Sequence, residues 1–141
     1  MCSSDLVPFH YVFAAAIDLM VKWITTGTPP PTAPVLEFTP DKPPTIARDE
    51  DGIARGGIRL SQVAVPTALN TGENRGSSFC RLYGSHNDFD KARIAALYPS
   101  HEAYVDAVKD VTEKNLKAGY ILQPDADATI VAAEKSEIGK R

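Results

Sequence analysis

Cysteine is nearly missing from this chain: Cys2 and Cys80 are the only two. They stand at no metal-ligand spacing, and one pair so far apart makes no disulfide framework, so nothing argues for an oxidising compartment. Histidine is as sparse. His10, His86 and His101 have no partner at HxxxH or similar spacing, which removes the usual helical metal signature. Basic clustering is missing too. The formal net charge is -3 with acids and bases interspersed, so no stripe neutralises phosphates and no polybasic run holds a membrane. Neither nucleic acid nor a membrane is expected as a partner. The one long apolar run, Val7 to Ile24, carries His10, Asp18 and Lys22, and a charge near a bilayer centre costs about 2.5–3.5 kcal/mol. It reads as part of a soluble protein. Nor does it read as a signal peptide, since no Lys or Arg precedes it and no small-residue cleavage pattern follows before Gly27. A G-x-S-x-G nucleophile elbow is also lacking: Arg75-Gly76-Ser77-Ser78 and Gly84-Ser85-His86 both miss the second glycine.

What is present suits one domain of 141 residues, long enough to bury roughly two-thirds of its unfolded surface. Met1 to Leu6 read MCSSDL, the translation of a common sequencing adapter from a GTG start. Residues 1–6 are therefore expected to be an assembly scar and 7–141 the protein's own. Phe9 to Ile24 follows helical spacing and is apolar around almost its whole circumference, apart from a narrow stripe of His10, Asp18, Lys22 and Thr25. Asp18 and Lys22 are spaced for an ion pair. Such a helix must be buried on several sides, and few strong strands remain in the chain to bury it. Gly27 and then Pro29, Pro30 and Pro31 stop it.

Pro34, Pro40, Pro43 and Pro44 keep the following arm extended, with Val35 to Phe38 at best a short strand. A semi-rigid connector is preferred here to a PxxP recognition ligand. Asp49-Glu50-Asp51-Gly52, between Thr45–Arg48 and Ile53–Arg55, predicts a small hairpin. Gly56-Gly57 permits a bend or bulge, and Pro66 limits any strand through Ile58, Leu60, Val63 and Val65 to an edge. Phe79 to Tyr83 predicts a strand ended by Gly84. Asp90 and Ser100 are placed to cap two helices, the first stopping at Tyr98-Pro99. The second buries Tyr104, Val105, Val108, Val111, Asn115 and Leu116 and closes at Gly119. Tyr120 to Leu122 crosses as an apolar tether to a final helix carrying Ile130, Val131 and Ile138.

Each apparent site has a plainer explanation. Asp49-x-Asp51-Gly52 resembles the start of a calcium loop, but the later ligands and the distal Glu are absent, so a solvated turn is preferred. His86, Asp88 and Asp90 alternate, as do Asp125 and Asp127, and acids near helix starts are first explained by capping and the helix dipole. Arg55 and Arg59 could clamp an anion, although pairing with Asp49, Glu50 or Asp51 is preferred. A metal-binding regulatory domain would need three of these acids and histidines to converge.

The ordered motifs resemble the C-terminal region of the bacterial α/β-hydrolase domain-containing family. W-[VI]-x-x-G-x-x-P-P is matched by Trp23 to Pro30, and D-x-x-G-x-x-x-G-G-[IV]-R by Asp49, Gly52, Gly56, Gly57, Ile58 and Arg59. V-x-V-P follows at Val63 to Pro66, C-x-L-x-G-[ST] at Cys80 to Ser85, F-D at Phe89-Asp90, L-Y-P at Leu97 to Pro99 and H-x-x-Y-V at His101 to Val105. Ser61 and Asp88 stand where that family often has Pro. The resemblance implies an α/β parent fold, with this chain a mixed α+β fragment: a long N-terminal buried helix, a Pro-rich arm, a small irregular β-hairpin and a helical tail. It implies hydrolysis of an ester or acyl bond by a Ser–His–acid triad, with no cofactor and no metal. The triad is placed upstream of Val7, and His10 is the one residue of this chain offered as a minor catalytic candidate. The expected partners are that upstream hydrolase core and, in the full-length parent only, a small-molecule substrate. The competing reading is a non-enzymatic protein-interaction module.

Overall fold

The computed structural model describes residues 2–3, 7–72 and 82–140. Phe79 to Arg81, Cys80 of the C-x-L-x-G motif and Arg75 to Ser78 lie outside them. The elements run β1 (Cys2–Ser3), α1 (His10–Thr26), α2 (Ser61–Ala64), β2 (Ala68–Thr71), β3 (Gly84–Asp88), α3 (Lys91–Leu97), α4 (His101–Lys117) and α5 (Gln123–Lys135). The strands form a small antiparallel sheet in the order β1-β3-β2. Leu69 lies opposite Asn87, and Asn70 opposite His86.

The helix boundaries follow their local chemistry. Gly27 ends α1 at φ 74°, with its N–H bonded to Trp23 O, a left-handed close that costs glycine little. Asp90 Oδ1 accepts from Arg93 N–H at 2.7 Å, and Ser100 Oγ from Ala103 N–H at 3.1 Å, capping α3 and α4 as their sequences predict. The strand expected at Phe79–Tyr83 lies largely outside the described residues; among them a strand runs over Gly84–Asp88, and its partner β2 carries no alternating apolar pattern to reveal it. Two expectations are corrected. Ser61–Ala64 is a helical turn, because Leu60 O accepts from both Val63 and Ala64 N–H, which explains the phase slip at Ser61-Gln62. Helix α5 stops at Lys135, leaving Ile138 in the tail.

Between α1 and α2 the chain makes a three-sided wrap in place of a simple hairpin. Arg48 bridges Ala54 as predicted, but Phe38 also bridges Ile46, and Leu36 bridges Gly56. Three hydrogen bonds close a ring: Glu37 N–H to Arg55 O at 3.1 Å, Arg55 N–H to Ala47 O at 2.8 Å and Ala47 N–H to Glu37 O at 2.9 Å. Each of the three extended segments thus pairs with both others, satisfying backbone groups that a two-stranded hairpin would leave to water.

Two small cores hold the chain together. Val65, Tyr98, Val105, Val108 and Ala133 form one, where α4 packs on α5. Leu60, Ile121 and Ala126 form the other, joined by Tyr11 and Val12 of α1. The expectation of a buried N-terminal helix is corrected here. Only Ala15 of α1 is buried, while Phe13 is 62% exposed, Trp23 52% and Ile24 78%. At about 100° per residue, Trp23, Ala16, Phe9, Met20, Phe13, Ile24 and Ile17 occupy one unbroken apolar arc of roughly 120°, and His10 separates it from Val21. The chain covers only the flank holding Ala15, Leu19 and Val12. The physical reason is supply: the three short strands pair with one another, and the described residues contain no sheet face broad enough for that arc. No described helix is long and apolar enough to cross a membrane.

Candidate functional site

The D-x-x-G-x-x-x-G-G-I-R stretch turns out to be a self-locking wrap. Asp49 Oδ1 accepts from Asp51 N–H at 3.2 Å and Ile53 N–H at 2.9 Å, making the turn that Gly52 completes at φ 79°. Its other oxygen takes the Arg59 guanidinium at 3.1 Å, so the first and last residues of the pattern join. Arg59 also donates to Ala54 O at 3.2 Å and Val63 O at 3.4 Å, tying the turn to α2. Partial burial raises the Asp49 pKa, but the Ile53 N–H and the Arg59 guanidinium outweigh it and hold the carboxyl below its usual value. Asp51 is committed elsewhere, to Arg93 of α3. Gly56 comes so close to the first extended segment that a Cβ there would stand 2.3 Å from Val35 O. These acids and arginines hold one another. The pairing expected for Arg59 is present, whereas Arg55 is exposed and forms no ion pair among the described residues. Among those residues no three His, Cys, Asp or Glu converge on a metal site.

A polar concavity of about 220 Å³ is lined by Ser61, Gln62, Asn70, His86, Tyr104 and Thr129 over an apolar floor. A serine, a histidine and the neighbouring Asp88 invite comparison with a hydrolytic triad. Both ring nitrogens of His86 are taken, Nδ1 by Asn70 Oδ1 at 2.6 Å and Nε2 by Asp88 Oδ1 at 3.0 Å. Triad chemistry needs one ring nitrogen on the acid and the other on the nucleophile. Ser61 Oγ instead lies 3.4 Å from Gln62 Oε1. This arrangement braces β2 against β3 and does not activate a hydroxyl.

His10 opens α1 at the surface, its ring 4.6 Å from that of Tyr11, with no acid bonded to it among the described residues. His101 sits at the start of α4 and bonds Ile138 O at 2.8 Å and Glu134 O at 3.1 Å, a structural pin between α4 and the tail. The three histidines are thus kept apart from one another in function as they are in sequence. Two partnerships were missed by sequence reasoning, Asn70 with His86 and Asp51 with Arg93. The latter spans 42 positions, and no local pattern signals such a distance.

A family model whose description is alpha/beta hydrolase domain matches residues 1–131. That is nearly the whole chain. The chain belongs to the alpha/beta hydrolase domain family. No curated protein and no solved structure matches it. In this alpha/beta hydrolase domain chain, Asp49, Gly52, Gly56 and Arg59 close the wrap, and Asp90 starts α3. Membership points to a hydrolase-type function.

Proposed function

We propose that this chain serves as the C-terminal region of an ester- or acyl-bond hydrolase, whose Ser–His–acid triad and small-molecule substrate site lie in a hydrolase core preceding Val7. The uncovered arc of α1 carries this reading. An apolar arc of roughly 120° left open to water is more than water-facing helices ordinarily show, and an α/β architecture covers its sheet with helices of that kind. The wrap then shields the edge of that core and borders its substrate mouth. A self-sufficient protein-interaction module, the competing reading, would cover α1 within the chain. It does gain some support from the exposed arm, where Val35 is 82% and Phe38 60% exposed.

The chain alone is expected to give no turnover of p-nitrophenyl acetate or butyrate above background. Added hydrolase core should restore turnover and shift Trp23 fluorescence to the blue as the helix is covered. Turnover by the isolated chain, lost on Ser61→Ala, would overturn the proposal.

A further inference from the structure

A second concavity shares no lining residue with the one around His86. It lies between α3 and the tail after α5, and its volume of about 420 Å³ falls within the range of small-molecule sites. Phe89, Ile94 and Ile138 give it apolar walls, and Lys91, Lys140 and Glu137 are its charged groups. Lys140 Nζ lies 3.0 Å from Glu137 Oε1, while no ion pair engages Lys91 among the described residues. Two cations against one carboxylate leave the lining with a single positive charge. The other polar groups nearby are spent: the Tyr98 hydroxyl donates to Pro66 O at 2.9 Å, and Asp51 and Arg93, the charges that reach Tyr98, pair with each other.

The tail wall is also held in place. His101 takes Ile138 O and Glu134 O on its two ring nitrogens. Gly139, at φ 73°, passes so close to α4 that a Cβ would stand 2.5 Å from the Ser100 carbonyl carbon. A ligand entering the cleft therefore meets a wall already ordered, which lowers the entropic cost of binding.

We propose that this cleft binds an amphipathic monocarboxylate, with its apolar body on Phe89, Ile94 and Ile138 and its carboxylate on Lys91. A neutral ligand would leave Lys91 unused, a cation would meet a net positive lining, and a dianion would exceed the available charge. The inference is independent of the hydrolase reading.

Titrating the isotope-labelled 141-residue chain with hexanoate, hexan-1-ol and hexylammonium, and following amide shifts, tests it. Hexanoate should give saturable shifts at Phe89, Ile94 and Ile138 and bind at least about fivefold more tightly than either analogue. Lys91→Met should weaken hexanoate about fivefold, while Lys114→Met on the exposed side of α4 should not. Absence of saturable shifts, equal binding of hexylammonium, or indifference to both Lys91→Met and Lys140→Met would overturn the proposal. Esterase results in either direction leave these outcomes unchanged.

Discussion

Asp49 accepts two backbone N–H groups and one guanidinium with its two oxygens, and this concentrates more of the wrap's stability in one side chain than in any neighbouring acid. Glu50, next to it in the turn, has no such set of bonds. Truncating Asp49 leaves the Arg59 charge and two turn N–H groups without their partner, so Asp49→Ala is expected to cost about 2 kcal/mol in urea unfolding. The Asp49–Arg59 pair is a quarter to a third exposed, so a double-mutant cycle should assign it no more than about 1 kcal/mol of that. The pH dependence has a definite sign. A carboxyl whose folded pKa is lowered contributes stability that is fully present above its ordinary value of about 3.9 and is lost as pH falls through the lower folded value. Acid titration should therefore destabilise the natural chain more steeply below about pH 4 than Asp49→Asn, which has no carboxylate to protonate there. Equal slopes for the two proteins would mean that the bonds of the Asp49 carboxylate to the turn N–H groups and to Arg59 do not form in solution.

Among elements, those signalled by short-range chemistry were legible and those made by distant contacts were not. Gly27, Asp90, Ser100 and Pro99 fix helix ends through bonds spanning at most four residues, so their sequence neighbourhoods suffice to find them. The Asp-Gly turn was legible for the same reason. The third segment of the wrap was not, because Leu36 meets Gly56 across 20 positions and nothing in Val35 to Phe38 names its partner. β3 was not legible because Gly84-Ser85-His86-Asn87-Asp88 is polar throughout, a composition that resembles a loop. The candidate site fared similarly: preference for paired acids and arginines over an anion clamp followed from charge arithmetic, but which arginine reaches which aspartate depends on the fold. Gly56 offers a test of the wrap as an element. Both Gly56 and Gly27 have positive φ, yet a Cβ at Gly27 meets nothing within 4 Å, whereas at Gly56 it would strike Val35 O. Gly27→Ala should cost about 1–2 kcal/mol, the left-handed penalty alone. Gly56→Ala should cost that plus the separation of two segments, about 3 kcal/mol or more, read as a lower urea midpoint.

At the scale of the whole molecule, the two halves of α1 face different fates. Ala15, 1% exposed, belongs to the chain's own packing. Ile17, 58% exposed and two positions on, lies on the uncovered arc, where the proposed function places the hydrolase core. Introducing a charge separates the two roles. Ala15→Glu should unfold the chain or destabilise it by about 3 kcal/mol or more, because a buried carboxylate has no partner there. Ile17→Glu should change the stability of the isolated chain by less than about 0.5 kcal/mol, as substitutions on an uncovered surface do. It should also lower the binding of an apolar dye, since the charge interrupts an exposed apolar surface. If the proposed hydrolase core docks on α1, the ranking changes: Ile17→Glu should then prevent that core from associating, because an unpaired charge buried at an interface costs more than the contact can return. A loss of about 2 kcal/mol or more in the isolated chain on Ile17→Glu would mean that the arc is already covered within the chain, and the docking role assigned to α1 would then be wrong. Unchanged association with the core would place the contact elsewhere on the surface, with the exposed Val35 to Phe38 segment next to be tested.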